Sequence, residues 1–443
     1  MKYVSTRGDS TALSFSEAIE SGLAPDGGLY VPLTFPRFTK KQIDDFLLNT
    51  KSTPGDFIQE DFVRFSAEVL KPFAEGDPLE GVLEKICELS FKFPIPLKSL
   101  NTDTAVLELF HGPTCAFKDV GAQFLANTLS FIPNTKPRLV LVATSGDTGG
   151  AVAAAFWQKK GFEVIILFPK GRIAKRQQQQ LTCWGNNVKS LAVSGSFDDC
   201  QKLVKEILNK NVEDKYKPAL EQFLSGRQLT SANSINLGRL LPQMLYYAYS
   251  SLQYLKSCGR QVGFIIPSGN LGHAMACTWA KELGFPICDI ILAHNANHSM
   301  VDYFTTGKYS PSPTVSTLAN AMDVGNPSNA ERLLNFKSYE ELKTFISAIS
   351  VSDVQIQQTI AEGLDRWHEV WCPHTACAVN VRQHLSKGDW IIVATAHPAK
   401  FETVVEPLIR KSLDVPDQLQ QLLFKPSKYT SIQPDIESFL KSL

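Results

Sequence analysis

Arg138-Leu-Val-Leu-Val-Ala-Thr144-Ser-Gly-Asp-Thr-Gly-Gly150-Ala-Val-Ala-Ala-Ala-Phe-Trp-Gln-Lys159 is the stretch whose reading decides the fold. Arg138–Ala143 has the length and branched apolar character of a strand buried on both faces. Thr144–Gly150 then turns, and the alanine-rich Ala151–Lys159 reads as a helix. The same strand, loop, helix sentence recurs outward from it. Glu163–Phe168 is a strand ending in Pro169-Lys-Gly-Arg172, and Val262–Ile266 precedes Pro267-Ser-Gly-Asn-Leu-Gly272 and a helix over His273–Leu283. Cys288–Ala293 and Trp390–Ala394 complete the series, the last running into Thr395-Ala-His-Pro-Ala-Lys-Phe401. Short apolar strands alternating with helices predict an α/β protein with doubly wound, mostly parallel sheets. Ligands of such sheets sit beyond the carboxyl ends of the strands, where these loops lie.

The first hundred residues differ. Helical patterns at Phe15–Ser21, Thr39–Leu48 and Phe62–Leu70 are separated by turns such as Pro25-Asp-Gly-Gly28, which predicts a small, mainly helical N-terminal domain over 1–100. Residues 101–235 then form a smaller α/β region and 236–443 a larger one. No internal repeat is present, and the only low-complexity run, Gln177–Gln180, reads as a helix surface.

Composition narrows the function classes. A chain of 443 residues with 44% hydrophobic and 20% charged content is an ordinary globular composition. The formal net charge of zero gives no electrostatic reason to bind nucleic acid or a membrane. The basic run Lys170-Gly-Arg-Ile-Ala-Lys-Arg176 is short and isolated, a local phosphate contact or a solvated loop. No apolar run approaches the roughly 20 residues of a membrane helix, and the opening residues lack a secretory pattern. Nine cysteines without a C-x-x-C pair suit reduced thiols in the cytosol. Cys372, His374 and Cys377 offer only three ligands to a metal, so two core thiols at a helix start are the expectation and no metal is assigned.

Chemistry concentrates at Leu109-Phe-His-Gly-Pro-Thr-Cys-Ala-Phe-Lys-Asp119. Lys118, between Phe117 and a following apolar stretch, is poorly placed for a surface residue. Desolvation there would lower its pKa and make it an amine nucleophile. In Thr144–Gly150, hydroxyls of Thr144, Ser145 and Thr148 and the following helix N-terminus suit an anion, the alternative being a tight turn with no ligand. Asp147-Thr148-Gly149 copies the triplet of aspartic proteases, but no second triplet exists and the setting is strand then helix. Pro267–Gly272 could cradle a second phosphate, with Asn270 adding a donor; it is not a Walker A loop. Asn233, Ser234 and Arg239 bring amide, hydroxyl and guanidinium groups to the start of an apolar helix, Leu240–Tyr247. Taken alone, that segment reads as an N-cap with a surface arginine.

Lys118 and these loops, in this order, resemble the threonine synthases, pyridoxal-phosphate enzymes of fold type II (tryptophan synthase β-like), in the longer subgroup. The likeness runs nearly end to end, through Tyr3–Gly8, Gly22–Pro32, the lysine motif, Thr144–Gly149, Asn233–Arg239, Pro267–Gly272, Leu318–Asp323 and Thr395–Phe401. It implies that Lys118 carries pyridoxal 5'-phosphate, that Gly269, Asn270, Leu271 and Gly272 hold the cofactor phosphate, and that Thr395 meets the ring nitrogen. Asp147 stands where short-form relatives have an asparagine near the ring. The substrate implied is O-phospho-L-homoserine, its phosphate held by Thr144, Ser145, Thr148, Asn233, Ser234 and Arg239, with Lys170 as a further candidate. Lys118 would act as base and then acid while phosphate leaves and water adds to give threonine. Leu271 replaces the aromatic residue usual in the Gly-Asn-Phe-Gly loop, and His273 stands where many relatives are acidic. A phospholyase yielding 2-oxobutyrate and ammonia would use the same residues, and a silent regulatory protein could keep the fold without the chemistry. A cytosolic monomer or homodimer is the expected form.

Overall fold

Continuous apolar strands build two separate sheets in the computed structural model, which describes residues 1–9, 11–209 and 211–443. In chain order the strands are β1 (Tyr3–Ser5), β2 (Tyr30–Pro32), β3 (Leu97–Ser99), β4 (Thr104–Glu108), β5 (Arg138–Ala143), β6 (Phe162–Pro169) and β7 (Val188–Val193). They continue as β8 (Gln228–Ser231), β9 (Val262–Pro267), β10 (Ile287–His294), β11 (Ile346–Ser350), β12 (Trp390–Ala394) and β13 (Thr430–Ile432). The six-stranded sheet has the order β11-β10-β9-β12-β4-β3, parallel except for β3 against β4. The five-stranded sheet, β13-β7-β6-β5-β8, is parallel throughout. Every residue of β5, β9 and β12 is buried, as expected of strands covered by helices on both faces.

The two sheets exchange segments. β4, from the stretch assigned to the smaller unit, pairs with β12 in the larger sheet. β13, from the far end of the chain, crosses to the edge of the smaller one. The N-terminal hundred residues are mainly helical, with β1 and β2 as an antiparallel pair. Their helices begin where hydroxyl caps allow: Ser14 with Glu17, and Thr39 with Gln42, form reciprocal capping boxes.

Element positions follow the sequence patterns closely, with two informative departures. The helix after β5 starts at Asp147 rather than at Ala151. Thr144 Oγ1 accepts from the Gly146 and Gly149 amides, both at 2.9 Å, and so draws Asp147–Gly150 into the first helical turn. The helix expected at Leu240–Tyr247 spans Leu237–Cys258, is buried along most of its length and is capped by Asn236.

Candidate active site

Three neighbouring strands of the larger sheet, β9, β12 and β4, point their carboxyl ends at one cleft, and β5 and β8 of the smaller sheet point theirs at its opposite wall. The cleft is lined by Lys118, Thr144, Ser145, Asp147, Thr148, Asn233, Ser234, Arg239, Gly269, Asn270, Leu271, Gly272 and Thr395. Every cofactor and phosphate residue that the resemblance implies is therefore at one place except Lys170, which is exposed at the end of β6 and outside the cleft wall.

Lys118 opens the helix Lys118–Phe131 that follows the loop from β4. That loop is stitched to the end of β12: the Phe117 amide donates to the Thr395 carbonyl at 2.8 Å, and Ala116 bridges Ala396. Its side chain is 16% exposed, with Nζ 4.7 Å from the Phe117 ring centre and 3.7 Å from Asp147 Oδ2. Burial pushes the amine below its ordinary pKa; Asp147 opposes this, while the charges of Lys400 and Arg239 reinforce it. Phe117 stacks on His273, ring centres 4.3 Å apart. Burial lowers the His273 pKa to about 3, so its ring is neutral near pH 7. Its Nε2 lies 2.7 Å from the Pro267 carbonyl, an acceptor only, so Nε2 carries the hydrogen. Nδ1 then accepts from the Tyr247 hydroxyl at 3.1 Å.

Three groups that the sequence reading does not place at the site, Lys400, Gln177 and His374, complete the amine's surroundings. Lys400, fully buried after β12, donates to the Thr114 carbonyl at 2.7 Å and stands 2.8 Å from Asp147 Oδ1. Burial works against ionisation of Asp147, but Lys400 and then Lys118 outweigh it and hold the carboxyl well below the usual range. Gln177 Nε2 donates to the same carboxylate at 2.9 Å. His374 also lines the cleft, its Nε2 accepting from the Ala321 amide at 3.0 Å, and burial lowers its pKa to about 3. The signal that singled out Lys118, an amine abutting a phenylalanine after a strand, recurs at Lys400-Phe401. His374 shares its helix start with Cys372 and Cys377, whose thiols serve the helix: Cys372 Sγ caps the Thr375 amide and Cys377 Sγ donates to the Pro373 carbonyl.

On the glycine loop, a Cβ at Gly269 would lie 2.7 Å from Met322 Cα, so only glycine fits there. Leu271 adopts φ 59°, a left-handed conformation costly for a branched side chain, and caps the helix Gly272–Glu282. Asn270 is held at both ends of its amide, donating to Ser234 Oγ at 2.7 Å and accepting from the Ser328 amide at 2.5 Å. The Thr395 hydroxyl takes no protein partner among the described residues.

The opposite wall divides its labour. The Asn233 amide brackets the backbone of Ala143, accepting from its N–H at 3.2 Å and donating to its carbonyl at 2.7 Å. Thr144 is likewise committed to its own loop, while the second N–H of the Asn233 amide takes no protein partner among the described residues. Ser145 and Thr148 are partly exposed, with no protein partner for either hydroxyl among the described residues. Arg239 is not the surface arginine of the capping alternative: it is 1% exposed. One terminal nitrogen donates to the Ala232 carbonyl at 2.5 Å, whereas Nε is buried without a partner. Burial lowers its pKa to about 10, leaving it a cation near pH 7. Gly121 makes room for it, since a Cβ there would come within 2.7 Å of the Arg239 carbonyl.

The class of the protein follows from the span that carries the lysine, both loops and Thr395. Residues 95–396 match the family model described as pyridoxal-phosphate dependent enzyme. Residues 2–91 match the threonine synthase N terminus and 375–441 the threonine synthase C-terminal model. The chain belongs to the threonine synthase family. It is 38% identical to the threonine synthase of Serratia marcescens over 95% of this chain and 93% of that one. The crystal structure of threonine synthase from Escherichia coli superposes with a TM-score of 0.89 at 35% identity, covering 100% of this chain and 99% of that one. A structure titled as PLP-bound threonine synthase from Brucella melitensis superposes at 0.86 with 33% identity, covering 100% and 98%. The residues here fit pyridoxal phosphate: a desolvated amine, a backbone cradle closed to any Cβ at Gly269, and a free hydroxyl at Thr395. Among the described residues no helix is long and apolar enough to cross a membrane.

Proposed function

We propose that the chain converts O-phospho-L-homoserine and water to L-threonine and phosphate, with pyridoxal 5'-phosphate held on Lys118. The observation that carries the reading is a desolvated amine facing a partly unpartnered guanidinium and two free hydroxyls across one cleft. When bound, the cofactor supplies an electron sink that acidifies the substrate carbons next to its amine. The Gly269–Gly272 backbone with the helix N-terminus behind it holds the cofactor phosphate, and the Thr395 hydroxyl meets the ring nitrogen.

Arg239, Ser145, Thr148 and Ser234 grip the substrate phosphate, within a wall shaped by Thr144 and Asn233. Arg239 suits this task because its buried Nε gains the acceptor that the protein does not give it. Lys118 Nζ, neutral for a larger fraction of molecules than an exposed lysine, takes the proton from the α-carbon and returns one later. Asp147, held ionised, balances the charge that Lys118 gains. In this reading the protein is a cytosolic monomer or homodimer. Its units are 1–100, 101–235 and 236–443, with β4 counted in the larger α/β unit and β13 in the smaller.

Incubation with phosphohomoserine tests the reading: threonine and phosphate in equal amounts are expected. Release of 2-oxobutyrate and ammonia without threonine would overturn it in favour of a phospholyase. Borohydride reduction followed by peptide mapping is expected to find the cofactor on Lys118.

A further inference from the structure

Two amines share one carboxylate in this cleft. Asp147 Oδ2 is 3.7 Å from Lys118 Nζ, while Oδ1 is 2.8 Å from Lys400 Nζ and accepts from Gln177. The three groups come from three strand ends: Lys118 follows β4, Asp147 follows β5 and Lys400 follows β12. The pair Asp147–Lys400 therefore ties the smaller sheet to the larger directly behind the reactive nitrogen. Lys400 has no freedom to do otherwise, being fully buried with a second bond to the Thr114 carbonyl.

We propose that Lys400 is a positioning residue for the reaction, one that occupies Asp147 so that the carboxylate does not fix a proton on Lys118. The inference rests on Lys118 being the reactive amine. An isolated lysine–carboxylate pair favours the ammonium form and would disable the amine as a base. A second cation on the far oxygen divides the carboxylate's attraction, and its own charge disfavours a proton on Lys118. Asp147 is then close enough to balance the positive charge that Lys118 acquires when it takes a proton, without holding the freed amine as an ammonium beforehand. Among the described residues the other charged or titratable groups around the trio are Arg239 (which also disfavours protonation of Lys118), Asp119, the buried histidines His273 and His374, His397, whose pKa burial lowers to about 4, and the thiols of Cys115 and Cys372, which burial keeps protonated. Burial keeps His273 and His374 neutral near pH 7, with pKa values lowered to about 3, so they do not take over the role of Lys400. Arg239 lies on the substrate side, in a different helix.

Trace acetylation of the full-length, cofactor-stripped protein across pH, read by peptide mass spectrometry, reports the midpoint at which Lys118 becomes a free amine. In Lys400→Met that midpoint is expected to rise by about one unit or more, a tenfold loss of Lys118 labelling at any pH below it. Lys400→Gln, which keeps a donor for Thr114 but not the charge, is expected to shift it in the same direction and serves if the methionine variant does not fold. In an Asp147→Asn background the shift is expected to fall to less than half, because the carboxylate through which Lys400 acts is gone. A midpoint unchanged in folded Lys400→Gln, or a shift of full size without Asp147, would overturn the proposal. Failure to recover the cofactor on Lys118 after borohydride reduction would instead overturn the underlying reading.

Discussion

Replacing Arg239 by methionine separates an arginine kept for a ligand from one kept for the fold. In the protein its guanidinium is buried with one bond to Ala232 and an Nε that no group satisfies. A hydrogen bond to a charged group contributes about 1.5–3 kcal/mol, and a buried unsatisfied donor costs about as much. The two nearly cancel, so an apolar side chain of similar length is expected to leave the stability of the free protein within about 1 kcal/mol of the parent. Anion binding should respond very differently. Two charge-assisted bonds from a desolvated guanidinium supply at least about 3 kcal/mol, equivalent to roughly a 150-fold change in affinity. The assay pairs denaturant unfolding of the free protein with calorimetric titration of inorganic phosphate and the KM for phosphohomoserine. Phosphate affinity within about threefold of the parent, on the scale where tenfold is about 1.4 kcal/mol, would refute the placement of Arg239 at the anion. Destabilisation beyond about 3 kcal/mol, the cost of breaking a buried charge network, would mark it as a pillar of the fold instead.

Gly269→Ala would place a methyl 2.7 Å from Met322 Cα, inside the 3.4 Å where ordinary contact begins. At about 1–3 kcal/mol for such overpacking, cofactor affinity measured by absorbance titration is expected to fall by roughly 5- to 150-fold. Asp119 is buried and accepts both the Thr114 amide and hydroxyl, and burial lifts its pKa to about 6. The native state therefore holds a proton that the unfolded chain releases, so this group's contribution to stability declines as pH rises from about 4 to 6. Asp119→Asn is expected to flatten that part of the stability–pH curve by an amount on the order of 3 kcal/mol. Lys118→Ala is expected to abolish the visible absorption of the loaded enzyme while leaving the unfolding midpoint nearly unchanged.

The parallel sheets were legible because their central strands are uninterrupted apolar runs, as in Arg138–Ala143 and Trp390–Ala394, and because glycine loops follow them. Edge strands such as β11 and β13 carry polar residues on partly exposed faces and lack that signature. The cleft residues were legible as separate motifs, each ambiguous alone, and the likeness to a family supplied their convergence. What local sequence could not express was how each polar side chain is used. Asn233 and Thr144 turn inward to their own backbone because the loops around them leave amides that need acceptors. Arg239 is buried because Gly121, more than a hundred positions away, lets two helices approach. The Asp147–Lys400 pair is likewise a product of two sheets meeting, and its sequence separation hides it.

The exchange of segments between the sheets bears on how the protein is made. The partner strand of β4 emerges from the ribosome only when Trp390–Ala394 has been synthesised, and β7 waits for Thr430–Ile432. Nearly the whole polypeptide must exist before the helix that opens at Lys118 has its final support. Such pairings close long loops late and slow productive folding. A chain stopped short of its last few dozen residues would leave β7 as an uncovered edge, a template for association with other nascent copies.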